Sequence, residues 1–207
     1  MKKIVIVGTG GLAREFTKFF SSHVEIVGYL SLDSKAHEEF KLPGKYFSDE
    51  KNLEKIGTKS AVIAIESPKI KRNLYKRMKE YGYVFPNFIH PSSIVESNFE
   101  KDKGLIVLPF CCVGPNVKFG IQNYINFSCG IGHDTEIGDF VQINTGVQIG
   151  GSSKFGNDIL IGSGSIIRQG LKIGDRSTIG LGSVVMHEIK EDTTVLGNPA
   201  KKLKFHE

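Results

Sequence analysis

A bulky apolar residue recurs at every sixth position from Val113 to Val185, thirteen times without a miss. The series runs Val113, Phe119, Ile125, Ile131, Ile137, Ile143, Ile149, Phe155, Ile161, Ile167, Ile173, Ile179, Val185. A helical face repeats every 3.6 residues and a half-buried strand every 2, so neither alone produces this spacing. A period of six predicts a parallel β-helix. Each hexad supplies one short strand and one turn, and three hexads close a triangular coil of 18 residues. The apolar residue faces the inside of the prism. The residue after it is Gly in nine hexads and Asn in two, which predicts a corner of unusual backbone conformation there. Four positions past the apolar residue stand small or β-branched residues such as Cys129, Thr135, Val141, Ser153, Ser165 and Ser183, which fit where two faces meet. Residues 18 apart then stack about 4.7–4.9 Å from one another in successive coils, so columns can be read from the numbering alone.

Before the repeat the pattern changes. Residues 3–7 form a short continuous apolar run, read as a buried strand. The segment GTGGLAREFTKFF follows, with Leu12, Phe16, Phe19 and Phe20 on one helical face. A second strand is expected at Val24–Leu30 and a third at residues 60–65. Ser67-Pro68 then opens a helix with Ile70, Leu74 and Met78 on one stripe; Ser at the N-cap and Pro in the first turn are start signals. Strand and helix in alternation imply a parallel sheet. The chain is therefore read as a half-sized Rossmann-like α/β domain over residues 1–85, a parallel β-helix over 86–190 and a tail over 191–207.

Composition narrows the function classes. The hydrophobic share of 40% and charged share of 24% suit a globular protein, and no apolar run reaches the length of a membrane span. The apolar run near Met1 stops at Gly8 without a small-residue cleavage site, which argues for a buried strand and a cytoplasmic protein rather than a signal peptide. Cys111, Cys112 and Cys129 fit no metal-ligand or disulfide spacing. The net charge of +5 suits an anionic ligand, with Lys201, Lys202 and Lys204 as a candidate site. No Lys/Arg cluster with interleaved aromatics argues for nucleic acid.

Two places carry chemistry. The turn Gly8-Thr9-Gly10-Gly11-Leu12-Ala13 matches G-x-G-x-x-G/A between a strand and a helix, where free N–H groups and the helix dipole attract phosphate. Only about 85 residues precede the repeat, too few for a full dinucleotide domain, so one nucleotide diphosphate fits better than NAD. The same glycines would also serve simply to let helix and strand pack closely. The second place is His133. Of the six histidines (His23, His37, His90, His133, His187, His206), it lies inside the strict repeat, beside Asp134, and projects from a corner. Imidazole at neutral pH can act as a general base, and a neighbouring carboxylate fixes its tautomer. A surface corner residue is the plain alternative. His133 plus 18 is Gly151, so an unhindered backbone N–H lies one coil from the imidazole, the pairing that acyl transfer requires. Asn126 stacks on Asn144 by the same count, which also suits an ordinary Asn ladder, and one His with one Asp makes no metal ligand set.

These segments together resemble a known family. GTGGLAR, then a hexapeptide domain with NFSCGIGHDTEIGDFVQIN, then VLGNPAKK, is similar to the sugar O-acyltransferase family. That family includes sialic-acid O-acetyltransferases and the UDP-4-amino-sugar N-acetyltransferase of the bacillosamine pathway. The resemblance spans nearly the whole chain. It implies a left-handed β-helix, a homotrimer with active sites between subunits, and acetyl-CoA as donor, with no metal. By motif, His133 matches the catalytic base and Asp134 its supporting acid. Asn126 matches an Asn near the acceptor. Gly151 matches the amide facing the thioester carbonyl, and Ser163 and Leu181 match positions lining the acetyl-CoA arm. Gly10, Gly11 and Leu12 match the nucleotide-sugar site.

The chain also departs from the family. Gln142 stands where a His often touches the acetyl donor, and can hydrogen-bond but not carry a proton. Leu12 stands where a His is frequent. One displaced acid, Asp33, replaces a pair of acids for the nucleotide base, and Glu66 replaces a Gly after the third strand. The expected function is acetyl-CoA-dependent N-acetylation of a nucleotide-linked amino sugar at a 4-amino group. The alternatives are an O-acetyltransferase of sialic acid or another glycan precursor, and a non-catalytic nucleotide-sugar-binding trimer. A dehydrogenase is disfavoured by the short first domain.

Overall fold

The computed structural model describes residues 1–49, 51, 56–97 and 99–203. Lys204 and His206, two residues singled out in the sequence, lie outside them. The chain divides into two compact units, Met1–Pro86 and Asn87–Glu207.

The first unit is a four-stranded parallel sheet in the order β3-β2-β1-β4, with β1 at Lys2–Val7, β2 at Val24–Leu30, β3 at Lys45–Phe47 and β4 at Ala61–Ile63. In β1 the residues Ile4, Val5, Ile6 and Val7 are all buried, as a central parallel strand covered on both faces requires. Helix α1 (Gly11–Phe20) buries Ala13, Phe16 and Phe20, while Leu12 and Phe19 are half-buried. Helix α2 (Lys35–Glu39) and β3 had no periodic signal, being only five and three residues long. In α3 (Pro68–Glu80) Ser67 caps as expected, its Oγ accepting from the Ile70 N–H at 3.4 Å. The expected buried stripe is not the observed one. Met78 is buried and Leu74 half-buried, but Ile70 is 53% exposed and Lys71 takes the inside place at 1%. Helical spacing permits either neighbour to face the sheet. Burial holds the Lys71 ammonium down to about 7, an effect opposed by the charge of Glu66.

The second unit is a three-faced parallel β-helix whose strands are two residues long. One sheet stacks Phe88–Ile89, Ile106–Val107, Tyr124–Ile125, Gln142–Ile143, Leu160–Ile161 and Thr178–Ile179. The others stack from Ile94–Val95 to Val184–Val185 and from Lys118–Phe119 to Lys172–Ile173. Every pairing among these strands is between residues 18 apart. The inward residues form one continuous core. The coil begins earlier than the strict repeat, at Phe88, because Lys101 occupies the six-residue position between Val95 and Val107 and hides the period. The last coil is shorter by two residues: Ile173 pairs with Ile189 and Thr178 with Thr194. Ile189 and Val195 are buried there, and the guanidinium of Arg176 holds Asp192 and Glu191 at 2.7 and 2.9 Å. Residues 194–196 thus extend the first sheet, and Lys201–Lys202 add one antiparallel strand at its end.

The corner chemistry corrects one expectation. From Val113 to Ile179 the left-handed backbone lies three residues past the inward side chain, not one: Asn116 (φ 60°), Ser128 (60°), Asp134 (58°) and Ser152 (57°) all adopt it. The glycines directly after the apolar residues are needed for room. A Cβ on Gly114 would sit 2.9 Å from the backbone N of His133, and one on Gly132 would strike the backbone N of Gly151. The small residues of the corners behave as read from the sequence. Ser153, Ser165 and Ser177 are fully buried, and each hydroxyl donates to the carbonyl of the corner glycine three residues back at 2.7–2.8 Å. The Cys111 and Cys129 thiols, also buried, donate to the carbonyls of Asn126 and Asn144 at 3.0 and 3.1 Å.

Candidate active site

His133 and Asp134 stand on the corner between the strands Gly130–Ile131 and Glu136–Ile137, and both side chains are more than half exposed. The imidazole Nδ1 meets Asp134 Oδ2 at 2.7 Å. That bond, and then one from Asn116 to the other carboxylate oxygen at 3.0 Å, hold the Asp134 carboxyl below its ordinary value. An ionised carboxylate only accepts, so Nδ1 carries a proton, and in the neutral imidazole Nε2 holds the lone pair. One coil on, Gly151 lies against that nitrogen. A Cβ placed on it would be 2.9 Å from Nε2 and 3.0 Å from Cδ2 of His133. The Ser152 N–H donates to the His133 carbonyl at 2.7 Å and fixes the two corners together. Among the described residues the Gly151 N–H donates to no backbone carbonyl, while its own carbonyl accepts from Gly170 at 2.9 Å. The geometry is a base with a fixed tautomer beside a bare amide donor, the two groups a thioester carbonyl under attack would use.

The other expected residues of this unit lie elsewhere: Gln142 in a strand, and Asn126, Ser163 and Leu181 just past the strands of that same sheet. Asn126 is 5% exposed, and its Oδ1 accepts from the Phe127 N–H at 2.7 Å. Gln142 is fully buried, and its Nε2 donates to Asn144 Oδ1 at 3.0 Å. Ser163 is exposed and Leu181 is 75% exposed in one column, Leu181 seated over Gly162. Within one chain, then, His133, Asp134 and Gly151 form one cluster, and Ser163 and Leu181 stack in a separate exposed column. The sequence reading missed Asn116, although counting back 18 from Asp134 would have found it.

In the first unit the chain leaves β1 for β2 on one side and returns to β4 on the other. The loops after β1 and β4 therefore flank the switch point, the place where α/β sheets bind ligands. They are in contact: Gly8, at φ +112°, would put a Cβ 2.8 Å from the Ala64 carbonyl oxygen. Gly10 and Gly11 are exposed at the mouth of α1, with Gly10 at its N-cap, and Leu12 is half-buried. Thr9, which the motif leaves unassigned, donates to the Ser31 hydroxyl at 3.1 Å and ties this turn to the end of β2. Asp33 is exposed, and one of its oxygens is engaged by the Lys35 N–H at 3.0 Å in the turn into α2.

Comparison with known proteins places both units. Residues 3–78 match the model of the PglD N-terminal domain. No curated protein matches the chain in sequence. Solved structures match it over nearly its full length. PerB of Caulobacter crescentus, in complex with CoA and GDP-perosamine, is 21% identical over 99% of this chain and 98% of its own, with a TM-score of 0.87. The acetyltransferase domain of PglB from Neisseria gonorrhoeae is 22% identical over 98% and 100%, with a TM-score of 0.84. WeeI of Acinetobacter baumannii is 22% identical over 98% and 100%, at 0.79. The fold is thus an α/β unit followed by a left-handed parallel β-helix. Among the described residues no three His, Cys, Asp or Glu side chains converge on a metal position, and no helix is long and apolar enough to cross a membrane.

Proposed function

We propose that this protein is an acetyl-CoA-dependent acetyltransferase that acylates an amino group, at the 4-position, of a nucleotide-linked sugar. The observation that carries the reading is the His133–Asp134 pair with Gly151 against Nε2. His133 takes the proton from the attacking nitrogen through Nε2. Asp134 holds the imidazole in that tautomer and steadies the imidazolium. The Gly151 N–H receives the oxyanion of the tetrahedral intermediate, which collapses with release of the CoA thiolate. Gly10, Gly11 and Leu12, at the opening of α1 beside the switch point, bind the pyrophosphate, and Asp33 faces the nucleoside. Support for donor and acceptor comes from structural relatives of the same two-unit fold: PerB with CoA and GDP-perosamine, and the PglB domain with acetyl coenzyme A.

The reading includes a trimer. The cluster around His133 and the exposed column of Ser163 and Leu181 sit on different corners of one prism, so a second copy brings them to one acetyl group. Asn126 then meets the acceptor and the exposed Ser163 and Leu181 line the acetyl-CoA arm, while the fully buried Gln142 supports Asn144 and does not touch the donor.

The test is release of free thiol from acetyl-CoA with a panel of UDP-, GDP- and dTDP-linked 4-amino sugars, 4-hydroxy sugars and free sialic acid. Turnover confined to a nucleotide amino sugar is the expected result. Turnover on sialic acid alone selects the O-acetyltransferase instead, and no turnover with any acceptor, together with retained nucleotide binding, selects the non-catalytic trimer. Calorimetry with UDP, GDP and dTDP adds the acceptor half. Gly10 has open space where a Cβ would project, so Gly10→Trp fills the mouth of the turn without breaking the fold and abolishes nucleotide binding.

A further inference from the structure

The coil that precedes His133 shows how the dyad is held. Three consecutive residues, Gly114, Pro115 and Asn116, lie directly beneath Gly132, His133 and Asp134, each 18 residues earlier. Gly114 has no Cβ, which would otherwise sit 2.9 Å from the His133 backbone N and 3.2 Å from its Cα. The Pro115 carbonyl accepts from the Asp134 N–H at 3.0 Å. Asn116 Nδ2 donates to Asp134 Oδ1 at 3.0 Å, leaving Oδ2 for the imidazole at 2.7 Å. The seat is itself pinned from the coil below. The Ser97 hydroxyl donates to the Gly114 carbonyl at 2.9 Å, and the Val117 N–H donates to the same hydroxyl at 2.9 Å.

From this arrangement we infer that Asn116 is a positioning residue of the dyad, acting through Asp134 to hold the His133 imidazole in the tautomer that leaves Nε2 free. The inference rests on the acetyltransferase reading for its kinetic consequence, but not for its structural one. A carboxylate at an exposed corner rotates about its last torsion, and either oxygen can take the imidazole proton. A donor fixed on Oδ1 removes that freedom and leaves one oxygen aimed at Nδ1. Asn suits the place for two reasons. It supplies an N–H donor without a positive charge, so it orients Asp134 without cancelling the charge that steadies an imidazolium. It also tolerates the left-handed backbone at φ 60°, which most side chains resist. Among the described residues no lysine or arginine pairs with Asp134, and the neighbouring Lys118 is directed to Glu136 at 3.5 Å.

Two variants separate positioning from mere coil stacking. Asn116→Gly keeps the left-handed turn and removes the donor. Asn116→Asp keeps size and backbone preference but turns an acceptor toward Oδ1. In the full-length protein, imidazole 15N shifts report the His133 tautomer directly, with His133→Ala used to assign the signal and thermal melting to confirm the fold. The expected result is a single Nδ1–H tautomer in the parent, a mixture in Asn116→Gly and a displaced signal in Asn116→Asp. The kcat should fall roughly ten- to a hundredfold in Asn116→Gly, the range of one charge-assisted hydrogen bond, and further in Asn116→Asp, with KM for acetyl-CoA unchanged. Unchanged 15N shifts and a kcat within about twofold of the parent in both variants would overturn the inference. The two readings fail separately. A tautomer change in a protein without turnover on any acceptor keeps Asn116 in its role and retires the acetyltransferase; turnover that depends on His133 with an indifferent Asn116 does the reverse.

Discussion

Gly151 is the residue on which the proposed chemistry can be tested most sharply, because the imidazole of His133 is the nearest group to it. A methyl group there would press on Nε2 and Cδ2 of His133 at 2.9–3.0 Å, and the ring would have to turn away from the approaching acetyl group. Displacing a catalytic group by about 1 Å costs on the order of 10²-fold, so Gly151→Ala should lower kcat by about that factor, with only a small drop in melting temperature from the His133 carbonyl oxygen 3.0 Å away. His133→Ala removes the base and should lower turnover roughly 10²–10⁴-fold while acetyl-CoA binding survives. Asp134→Ala should cost less, since it supports the transfer without performing it. Steady-state kinetics on the three variants, with acetyl-CoA binding measured alongside, decide the matter. Turnover near the parent value in His133→Ala would remove the mechanism.

At the scale of elements, the repeat shows how much of a fold an uninterrupted period can specify. The apolar series placed each inward side chain and the 18-residue stacking, because every coil repeats the same burial problem. It did not explain its own glycines. Their role depends on the backbone of the next coil lying against them, which no local propensity reports. Gly114→Ala should therefore destabilise the coil by about 1–3 kcal/mol, the usual range for overpacking, as measured by chemical denaturation. Helix α3 gives a second element-scale prediction. The buried Lys71 has its folded value held down to about 7, while an unfolded lysine titrates near 10.4. Between those values the unfolded chain binds more protons, so the stability of the first unit rises as pH increases from about 7 to 10.4. Lys71→Met should remove that rise and stabilise the protein by about 1–4 kcal/mol at neutral pH, since Glu66 is exposed and is not left as a buried charge. Denaturation at pH 7 and 10 compares the two proteins. A parent whose stability is flat across that interval would show that Lys71 is not buried in the charge state argued for.

For the whole molecule the prediction concerns assembly. The His133 cluster and the exposed Ser163–Leu181 column occupy separate corners, and closed rotational symmetry is the usual way for identical subunits to bring unlike surfaces together. Light scattering should give three times the 22.8 kDa chain mass. Complementation is the stricter test. His133→Ala and an Asn126→Ala, Leu181→Ala double variant each damage every site when alone. Unfolded and refolded together as mixed trimers, they should recover about a quarter of parent turnover, since a site formed from one unaltered corner of each chain is intact. No recovery, with mixed trimers demonstrated by mass, would place the whole site within one chain.

The sequence by itself determined the two-part architecture, the start of each main helix and strand in the first unit, the inward ladder of the second, and the pairing of His133 with Asp134 and Gly151. Each of these follows from short-range pattern or from a constant period, and a constant period turns residue numbers into distances. Only the tertiary structure decided the rest. The early coil from Phe88 was hidden by Lys101, and the shortened last coil ended the period just where the Arg176 network replaces it. The inside position of α3 went to Lys71 and not Ile70, because which of two adjacent residues faces the sheet depends on how the helix is rotated against it. The corner strain moved from the glycines to Asn116, Asp134 and their counterparts, because the direction of a turn is set by the strand that follows it. The hold of Asn116 on Asp134 belongs to the same class: it joins two coils across 18 residues of chain, and a contact of that kind exists only once the coils are stacked.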